Sequence, residues 1–158
     1  MAIEAVRTFF RQYGMEGRIL ESAQSSATVA LAAQAFGTEE QRIAKTLSFL
    51  LGDKAILVVA AGDAKVNNQK FRAQFGAKAK MLTPAQVHDM VGHDVGGVCP
   101  FAIHDGVDVF LDETLRRFTT VFPACGSSNS AIELTLQELE TYSGSKAWVD
   151  VCKLPEEA

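Results

Sequence analysis

Residues 92–101, Gly-His-Asp-Val-Gly-Gly-Val-Cys-Pro-Phe, place the tightest limit on what this chain can fold into. They cannot form a helix, because Gly96 and Gly97 would lose the most backbone entropy there and Pro100 would remove a hydrogen-bond donor. The stretch is too apolar to be a solvated linker. It therefore predicts a structured loop whose bare backbone can present N–H groups to a carbonyl oxygen or a phosphate. A tight connection packed into the core is the alternative.

Length and composition indicate a single domain, residues 1–158, with 47% hydrophobic and 22% charged residues. No apolar run reaches the ~20 residues of a membrane helix. The N-terminus lacks the basic region and long apolar core that are typical of a secretion signal. Three widely spaced cysteines, Cys99, Cys125 and Cys152, form neither a disulfide framework nor a Cys-x-x-Cys metal motif. The sequence therefore predicts a cytoplasmic domain with reduced thiols, no metal or other cofactor, and no membrane contact.

The charge of the chain is unevenly distributed. A net charge of −4 and a pI of about 5.4 argue against a general nucleic-acid binder, including a DNA binder. Residues 64–88, however, contain no acidic residue. The basic residues of this run are Lys65, Lys70, Arg72, Lys78 and Lys80. Such a face suits a small anionic ligand such as the end of an RNA, and a solvated lysine-rich surface is the alternative.

Hydrophobic periodicity predicts many short strands mixed with short helices, without regular βαβ alternation. The predicted strands are residues 18–21, 42–51, 55–61, 78–82, 107–111, 118–123, 131–134 and 148–152. The predicted helices are residues 3–13, 28–36 after a Ser25 or Ser26 cap, an Asn67 or Asn68 cap to Phe75, 84–90 and 135–142. This pattern favours an α+β domain with a mixed, barrel-like sheet and peripheral helices.

One lysine stands out in the strand predicted over residues 42–51. Strand alternation places Lys45 on the same face as Ile43, Leu47 and Phe49. A lysine among apolar neighbours either extends its stem to the strand edge or points into a cavity for a purpose. The strand is predicted to form a hairpin with residues 55–61.

Four segments of the sequence resemble a known family when taken together. They are Arg42-Ile-Ala-Lys-Thr-Leu47, Ala61-Gly-Asp63, residues 92–101 and the Ile-Glu-Leu that ends at Leu134. In this order and spacing they are similar to the YbaK/EbsC family of aminoacyl-tRNA deacylases, which includes the editing domain of bacterial prolyl-tRNA synthetases and its freestanding relatives. The resemblance covers residues 25–151, and residues 60–80 and 96–112 look like a freestanding branch associated with Ser- or Thr-charged tRNA.

This resemblance implies a barrel-like mixed sheet and hydrolysis of the ester that joins a wrong amino acid to tRNA. Lys45 matches the functional lysine of the family, and residues 96–100 match the segment that positions the aminoacyl group. Cys99 departs from the family pattern, since founding members more often have serine before the proline. This leaves open which amino acid is removed from the tRNA. The implied partners are the acceptor end of an aminoacyl-tRNA and an aminoacyl-tRNA synthetase.

An aminoacyl ester is already activated, so orientation, a water and charge stabilisation suffice for hydrolysis. Backbone donors at Gly96 and Gly97 are the candidates for holding the carbonyl oxygen. Lys45 is predicted to anchor the last phosphate rather than act as a base, because an ordinary lysine has a pKa of about 10.4. Cys99 has no activating base placed by the sequence, so it is interpreted as a pocket-lining residue rather than a nucleophile.

Further candidates for substrate binding lie in the loop over residues 92–101 and in a small polar loop predicted over residues 125–130. They are His93, Val98, Pro100, Phe101, Ser127, Ser128 and Asn129. A structural role is the alternative for His93, and turn chemistry is the alternative for residues 127–129. Lys65, Lys70 and Lys80 are the candidates for contacts with acceptor-stem phosphates.

Three hypotheses about function follow. The first is a metal-independent hydrolase that clears mischarged tRNA. The second is a module that binds an aminoacyl-tRNA end or a synthetase without turnover. The third is an esterase or thioesterase on a small metabolite, and the acid-free run over residues 64–88 favours the first over the third.

Overall fold

A curled, six-stranded mixed sheet forms the centre of the computed structural model, which describes residues 2–155. The strands are β1 (Ile19–Glu21), β2 (Ile43–Leu51), β3 (Lys54–Ala61), β4 (Lys65–Val66), β5 (Asp108–Asp112), β6 (Thr120–Pro123), β7 (Ser130–Ile132), β8 (Leu134–Thr135), β9 (Ala147–Val149) and β10 (Cys152–Lys153). The central sheet has the order β8-β6-β2-β3-β5-β9, and β1-β7 and β10-β4 form two small ladders. The predicted mixed, barrel-like sheet is confirmed.

The helices lie outside this sheet. They are α1 (Ala2–Arg11), α2 (Val29–Phe36), α3 (Asn68–Phe75), α4 (Pro84–Gln86), which continues as a π-helical turn over Val87–Val91, and α5 (Leu136–Ser143). Short 3₁₀ turns cover Glu16–Arg18, Glu40–Arg42 and Glu113–Arg117.

The β2–β3 hairpin is confirmed, and it is the longest pairing in the sheet. Its two strands are antiparallel, with Lys45 opposite Ala60. The other edge of β3 pairs in parallel with β5, so β3 is an interior strand of the sheet. All residues of β3 after Lys54 are at most 3% exposed. This burial on both faces explains why the strand is continuously apolar rather than alternating.

The helix caps follow the predicted chemistry with one correction. Thr28, not Ser25 or Ser26, caps α2, because its hydroxyl accepts from the Leu31 N–H at 3.2 Å. The Ser25 hydroxyl accepts instead from the Ala27 N–H in a preceding turn. Asn67 caps α3 as predicted.

Three predicted strands are shorter or divided in the structure. Residues 78–82 form only a single bridge, between Met81 and Phe49. Residues 131–134 divide between β7, which pairs with β1, and β8, which pairs with β6. Residues 148–152 divide between β9, which pairs with β5, and β10, which pairs with β4. The physical reason is that the chain changes sheets within each of the last two segments.

Candidate active site

A cavity of about 220 Å³ lies beside β2. β2 pairs with β6 at Ile43 and Ala44, and β6 then ends at Pro123 whereas β2 continues to Leu51. The cavity lies beside the β2 edge that β6 leaves uncovered. Residues of α2, β2 and the loop over residues 92–101 line the cavity, together with Ser130 and Ala131.

Lys45 lines this cavity, and two backbone carbonyls hold its ammonium group. The Lys45 Nζ donates to the carbonyls of Gly62, at 3.3 Å, and Ala64, both of which follow β3. An ammonium group has three N–H donors, so one is left for a ligand. The Lys45 side chain is therefore fixed in position, and one of its N–H donors remains available.

A neighbouring carboxylate, Asp63, acts on the charge of Lys45 only through space. Asp63, between the two carbonyls, is bound by the Arg117 guanidinium at 2.6 and 3.1 Å. Within residues 2–155, no carboxylate forms an ion pair with Lys45. Burial lowers the pKa of the Lys45 ammonium, because removal from water disfavours the charged form. A half-buried cation without a counter-ion favours an anionic ligand.

The two central glycines of the loop have different roles. Gly96 has a left-handed φ of 97° and lines the cavity. Gly97 does not line it, and its N–H donates to the Asp94 carbonyl at 3.0 Å. A Cβ at Gly97 would lie 2.6 Å from the backbone nitrogen of Ser127. Gly96 is therefore placed to meet a substrate, whereas Gly97 permits close packing of two loops.

Of the four residues that follow Gly97 in this loop, Val98 lines the cavity and the other three turn inward. Cys99, Pro100 and Phe101 are buried and do not line it. Phe101 packs edge-on against Phe10 of α1 at a centroid distance of 4.8 Å. These residues support the loop from the core side, so the geometry does not favour the direct substrate contacts that the sequence predicts for them.

Cys99 is not built as a nucleophile. Its Sγ lies 3.4 Å from the His93 Nε2, and burial raises the pKa of the thiol to about 12. A thiol in this environment stays protonated at neutral pH, and protonated thiols are poor nucleophiles. Cys99 also lacks the cavity contact that the sequence predicts for it.

His93 is also a core residue, at 1% exposed. Its Nε2 lies 2.8 Å from the carbonyl oxygen of Phe101, so this nitrogen carries the proton and donates. The His93 Nδ1 is buried without a partner. Burial lowers the pKa of the imidazole, because a charged ring here would be desolvated. His93 therefore braces the two ends of the loop as a neutral donor.

We expect acid to destabilise the protein partly through His93. Its folded pKa is below the unfolded value of about 6.5, so the unfolded state binds more protons and stability falls as the pH drops below that value, by up to about 1.4 kcal/mol per pH unit. His93→Gln keeps a side-chain donor without titrating. Thermal unfolding between pH 7.5 and 5 should show a smaller loss for His93→Gln than for the wild type. Equal losses would contradict this role.

Residues 127–129 position other segments instead of lining the cavity. The Ser128 carbonyl accepts from the Ser26 N–H at 2.6 Å, and the Asn129 side-chain amide donates to the Ser22 carbonyl at 3.1 Å. The Ser127 hydroxyl lies 2.6 Å from the hydroxyl of Ser130. This loop therefore holds the segment before α2 against the cavity.

The three candidate lysines for tRNA differ in their surroundings. Lys65 and Lys80 are exposed. Lys70 is half-buried, and its Nζ contacts the Asp150 carboxylate at 3.0 Å and the Cys152 carbonyl at 2.9 Å. Lys80 directly precedes Met81, which is 58% exposed and lines the cavity, as does Val95 at 67% exposed. Lys80 is thus the candidate placed next to the cavity opening.

Two cavity residues, Thr46 and Ser48, could not be assigned from the sequence. Strand alternation places them on the face opposite Lys45, yet both line the cavity. The cavity lies along the edge of β2, so side chains from both faces reach it. No sequence signal indicates that β6 leaves this edge open.

Two other classes of site have no support in the described part of the chain. Within residues 2–155, no group of three His, Cys, Asp or Glu side chains could hold a metal ion. In the same residues, no helix is long and apolar enough to cross a membrane.

Comparisons with known proteins identify a family to which this chain is similar. A family model described as the aminoacyl-tRNA editing domain matches residues 23–142. The uncharacterized protein YwhH of Bacillus subtilis is 54% identical over 154 residues, which are 97% of this chain and 98% of YwhH. The proline–tRNA ligase of Lactiplantibacillus plantarum is 24% identical over 111 residues, which are 70% of this chain and 19% of the ligase. A crystal structure described as a proposed trans-editing enzyme for prolyl tRNA synthetase has a TM-score of 0.86 at 26% identity, covering 96% of this chain and 97% of that one.

Proposed function

The chain belongs to the aminoacyl-tRNA editing domain family, and from this premise we propose that it hydrolyses the ester of mischarged tRNA as a single editing domain over residues 1–158. The products are the free amino acid and the tRNA. Ser- or Thr-charged tRNA is the proposed substrate, and the acceptor end of the tRNA is the proposed binding partner. Similarity to proline–tRNA ligases and to the trans-editing neighbour supports a prolyl-tRNA synthetase as a second partner.

The observation that carries this proposal is the uncompensated cation in the cavity. Lys45 has one N–H donor left after its two carbonyl contacts and no carboxylate partner among the described residues. The 3′ end of an aminoacyl-tRNA offers an anion, its last phosphate, close to the ester. Lys45 would hold that phosphate and so fix the ester in the cavity.

Gly96 supplies the second element of the mechanism. Its backbone N–H has no protein acceptor among residues 2–155, and the residue lines the cavity. We assign this N–H to the ester carbonyl oxygen, which becomes negative as water attacks. A backbone donor in a preformed loop needs little rearrangement during the reaction, and His93 and Gly97 keep the loop in place.

The size of the cavity suits an aminoacyl group rather than a polymer. Its volume of about 220 Å³ is several times the ~30 Å³ that one water occupies in the liquid. The tRNA body would stay outside, where Lys80 and Lys65 are exposed. Lys70, which already contacts Asp150, is a weaker candidate for phosphate binding.

The test is deacylation of a panel of charged tRNAs, carrying Ser, Thr, Ala, Cys or Pro, at enzyme concentrations well below substrate. We expect multiple-turnover hydrolysis of Ser- or Thr-charged tRNA. Binding of these tRNAs without hydrolysis would overturn the proposal in favour of a binding module. Activity on simple esters that added tRNA does not inhibit, without hydrolysis of the panel, would instead indicate a small-molecule esterase.

A further inference from the structure

The open edge of β2 carries backbone hydrogen-bonding groups that have no partner among residues 2–155. On this edge, the Leu50 N–H donates to the Lys80 carbonyl at 2.8 Å, and the Ser48 carbonyl accepts from the Leu82 N–H at 3.2 Å. At the other end, Ala44 pairs with β6. Backbone groups of alternate residues point to the same side of a strand, so Thr46 presents its N–H and carbonyl to the gap between these pairings.

Two side-chain hydroxyls lie beside this gap in the pairing of β2. Thr46 and Ser48 lie on the same face of β2 and both line the cavity. The Thr46 hydroxyl is buried without a hydrogen-bond partner. Ser48 is 6% exposed, and its hydroxyl forms no hydrogen bond within residues 2–155. By contrast, the Ser130 hydroxyl on the cavity wall is bound to Ser127 at 2.6 Å.

An unpaired polar group in a mostly apolar cavity is costly for folding. A buried polar group without a partner loses its hydration and gains nothing in return. Most other side chains of the lining are apolar, among them those of Ala32, Phe36, Leu82, Val87 and Phe122. The buried Thr46 hydroxyl therefore contributes little to folding, and together with the Ser48 hydroxyl, which also has no partner among residues 2–155, it is suited to a ligand that supplies the missing partners.

We propose that Ser48, assisted by Thr46, recognises the side-chain hydroxyl of the amino acid and so selects Ser- or Thr-charged tRNA over Ala-charged tRNA. This inference rests on the proposed deacylase function and adds the residues that determine its specificity. The open β2 edge would hold the aminoacyl group, with the amino-acid side chain directed toward Ser48.

The position of Ser48 relative to Lys45 fits this arrangement. The two residues are three positions apart on one strand, which corresponds to about 10 Å at ~3.3 Å per residue. The Lys45 ammonium points toward Gly62 and Ala64, away from Ser48. A terminal aminoacyl-adenosine that lies along the strand can therefore put its phosphate at Lys45 and its amino-acid side chain near Ser48.

Selection by hydrogen bonding explains why alanine would be excluded. A site that hydrogen-bonds a substrate hydroxyl rejects an analogue without it strongly, since the polar groups of the site are then left unpaired. An apolar pocket distinguishes serine from alanine only weakly. Ser48 and Thr46 thus supply a discrimination that the surrounding aliphatic side chains cannot provide.

The experiment compares kcat/KM for Ser-charged and Ala-charged forms of the same tRNA with wild type, Ser48→Ala and Thr46→Val. Ser48→Ala should lower kcat/KM for Ser-tRNA by about tenfold or more and change that for Ala-tRNA by less than about twofold. Thr46→Val, which keeps the shape of the side chain, should have a smaller effect in the same direction. Ser143→Ala is the matched control, because Ser143 is 7% exposed and bonds to Glu140 in α5, away from the cavity.

Thermal unfolding of each variant separates selection from folding. Neither the Thr46 nor the Ser48 hydroxyl has a protein partner among the described residues, so Ser48→Ala and Thr46→Val should melt within a few degrees of the wild type. Failure of Ser48→Ala to fold would show that its hydroxyl is a structural group and would overturn the inference.

The kinetic outcomes distinguish the inference from the function on which it rests. An unchanged Ser/Ala ratio in Ser48→Ala, with Ser-tRNA still hydrolysed, would overturn the inference and leave the deacylase function intact. Wild-type preference for Ala-tRNA would do the same. If the wild type hydrolyses no charged tRNA, the proposed function fails, and the inference fails with it.

Discussion

Lys45→Ala should reduce deacylation of charged tRNA by roughly 100-fold, because the ester is misplaced when the residue that anchors the terminal phosphate is lost. The Lys45 ammonium is the cation of the cavity with no carboxylate partner among the described residues, so no other group replaces its charge. This loss of deacylation activity should be seen with substrates that carry the terminal phosphate. The measurement is single-turnover hydrolysis of the best substrate of the panel.

Two further variants separate the charge of Lys45 from its packing. Lys45→Met keeps an unbranched stem but no ammonium, and it should be as inactive as Lys45→Ala. Lys54→Ala removes an exposed lysine from the start of β3 in the same hairpin, and it should retain full activity. Removing Lys45 also leaves the Gly62 and Ala64 carbonyls without this donor, at about 1 kcal/mol each. Full activity in a folded Lys45→Ala protein would contradict the role of this lysine.

Gly62→Ala should lower the free energy of unfolding by about 2–3 kcal/mol, a loss typical of overpacking at a rigid contact. A Cβ at Gly62 would lie 2.0 Å from the carbonyl oxygen of Glu40 and 2.8 Å from the Val29 Cγ1. Backbone cannot move aside as a flexible side chain can, so the segment after β3 must shift. In a domain of this size we expect a Tm roughly 5–10 °C lower by calorimetry.

The same backbone shift in Gly62→Ala should also affect the active site. The Gly62 carbonyl accepts from the Lys45 Nζ, so its displacement should also lower deacylation at temperatures where the protein remains folded. Gly17→Ala is the matched control, because a Cβ there has no atom within 4 Å and the backbone is not left-handed. That variant should stay within about 0.5 kcal/mol of the wild type. Equal stability of the two variants would show that the Gly62 contact is not rigid.

Much of the local structure could be predicted because it depends on local rules. The alternating and continuous apolar patterns of residues 42–51 and 55–61 indicated the hairpin, and Asn67 and Thr83 began helices where their side chains can accept N–H bonds. The glycine pair and Pro100 excluded a helix from the loop. The apolar neighbours of Lys45 left two alternatives, a stem that extends to the strand edge or a side chain that points into a cavity, and the structure shows Lys45 lining the cavity.

The roles of individual loop residues could not be predicted in the same way. Gly96 and Gly97 are adjacent and identical, yet one lines the cavity and the other packs against the Ser127 backbone. Cys99 and His93 turn inward, because the core beneath the loop offers them a buried carbonyl of Phe101. These differences depend on which surface the loop packs against, and no local preference specifies that.

The sequence by itself thus determined most of the elements, the hairpin, the loop and the family resemblance, since each depends on residue period, backbone preference or motif order. Tertiary structure alone decided where β6 ends beside β2, and therefore where the cavity opens and that the Thr46 and Ser48 hydroxyls line it without a protein partner among residues 2–155. The reason is physical. Strand alternation assigns side chains to two faces, but the open edge of β2 exists because its partner, more than 70 residues away, pairs with it for two residues, Ile43 with Phe122 and Ala44 with Pro123, and then ends.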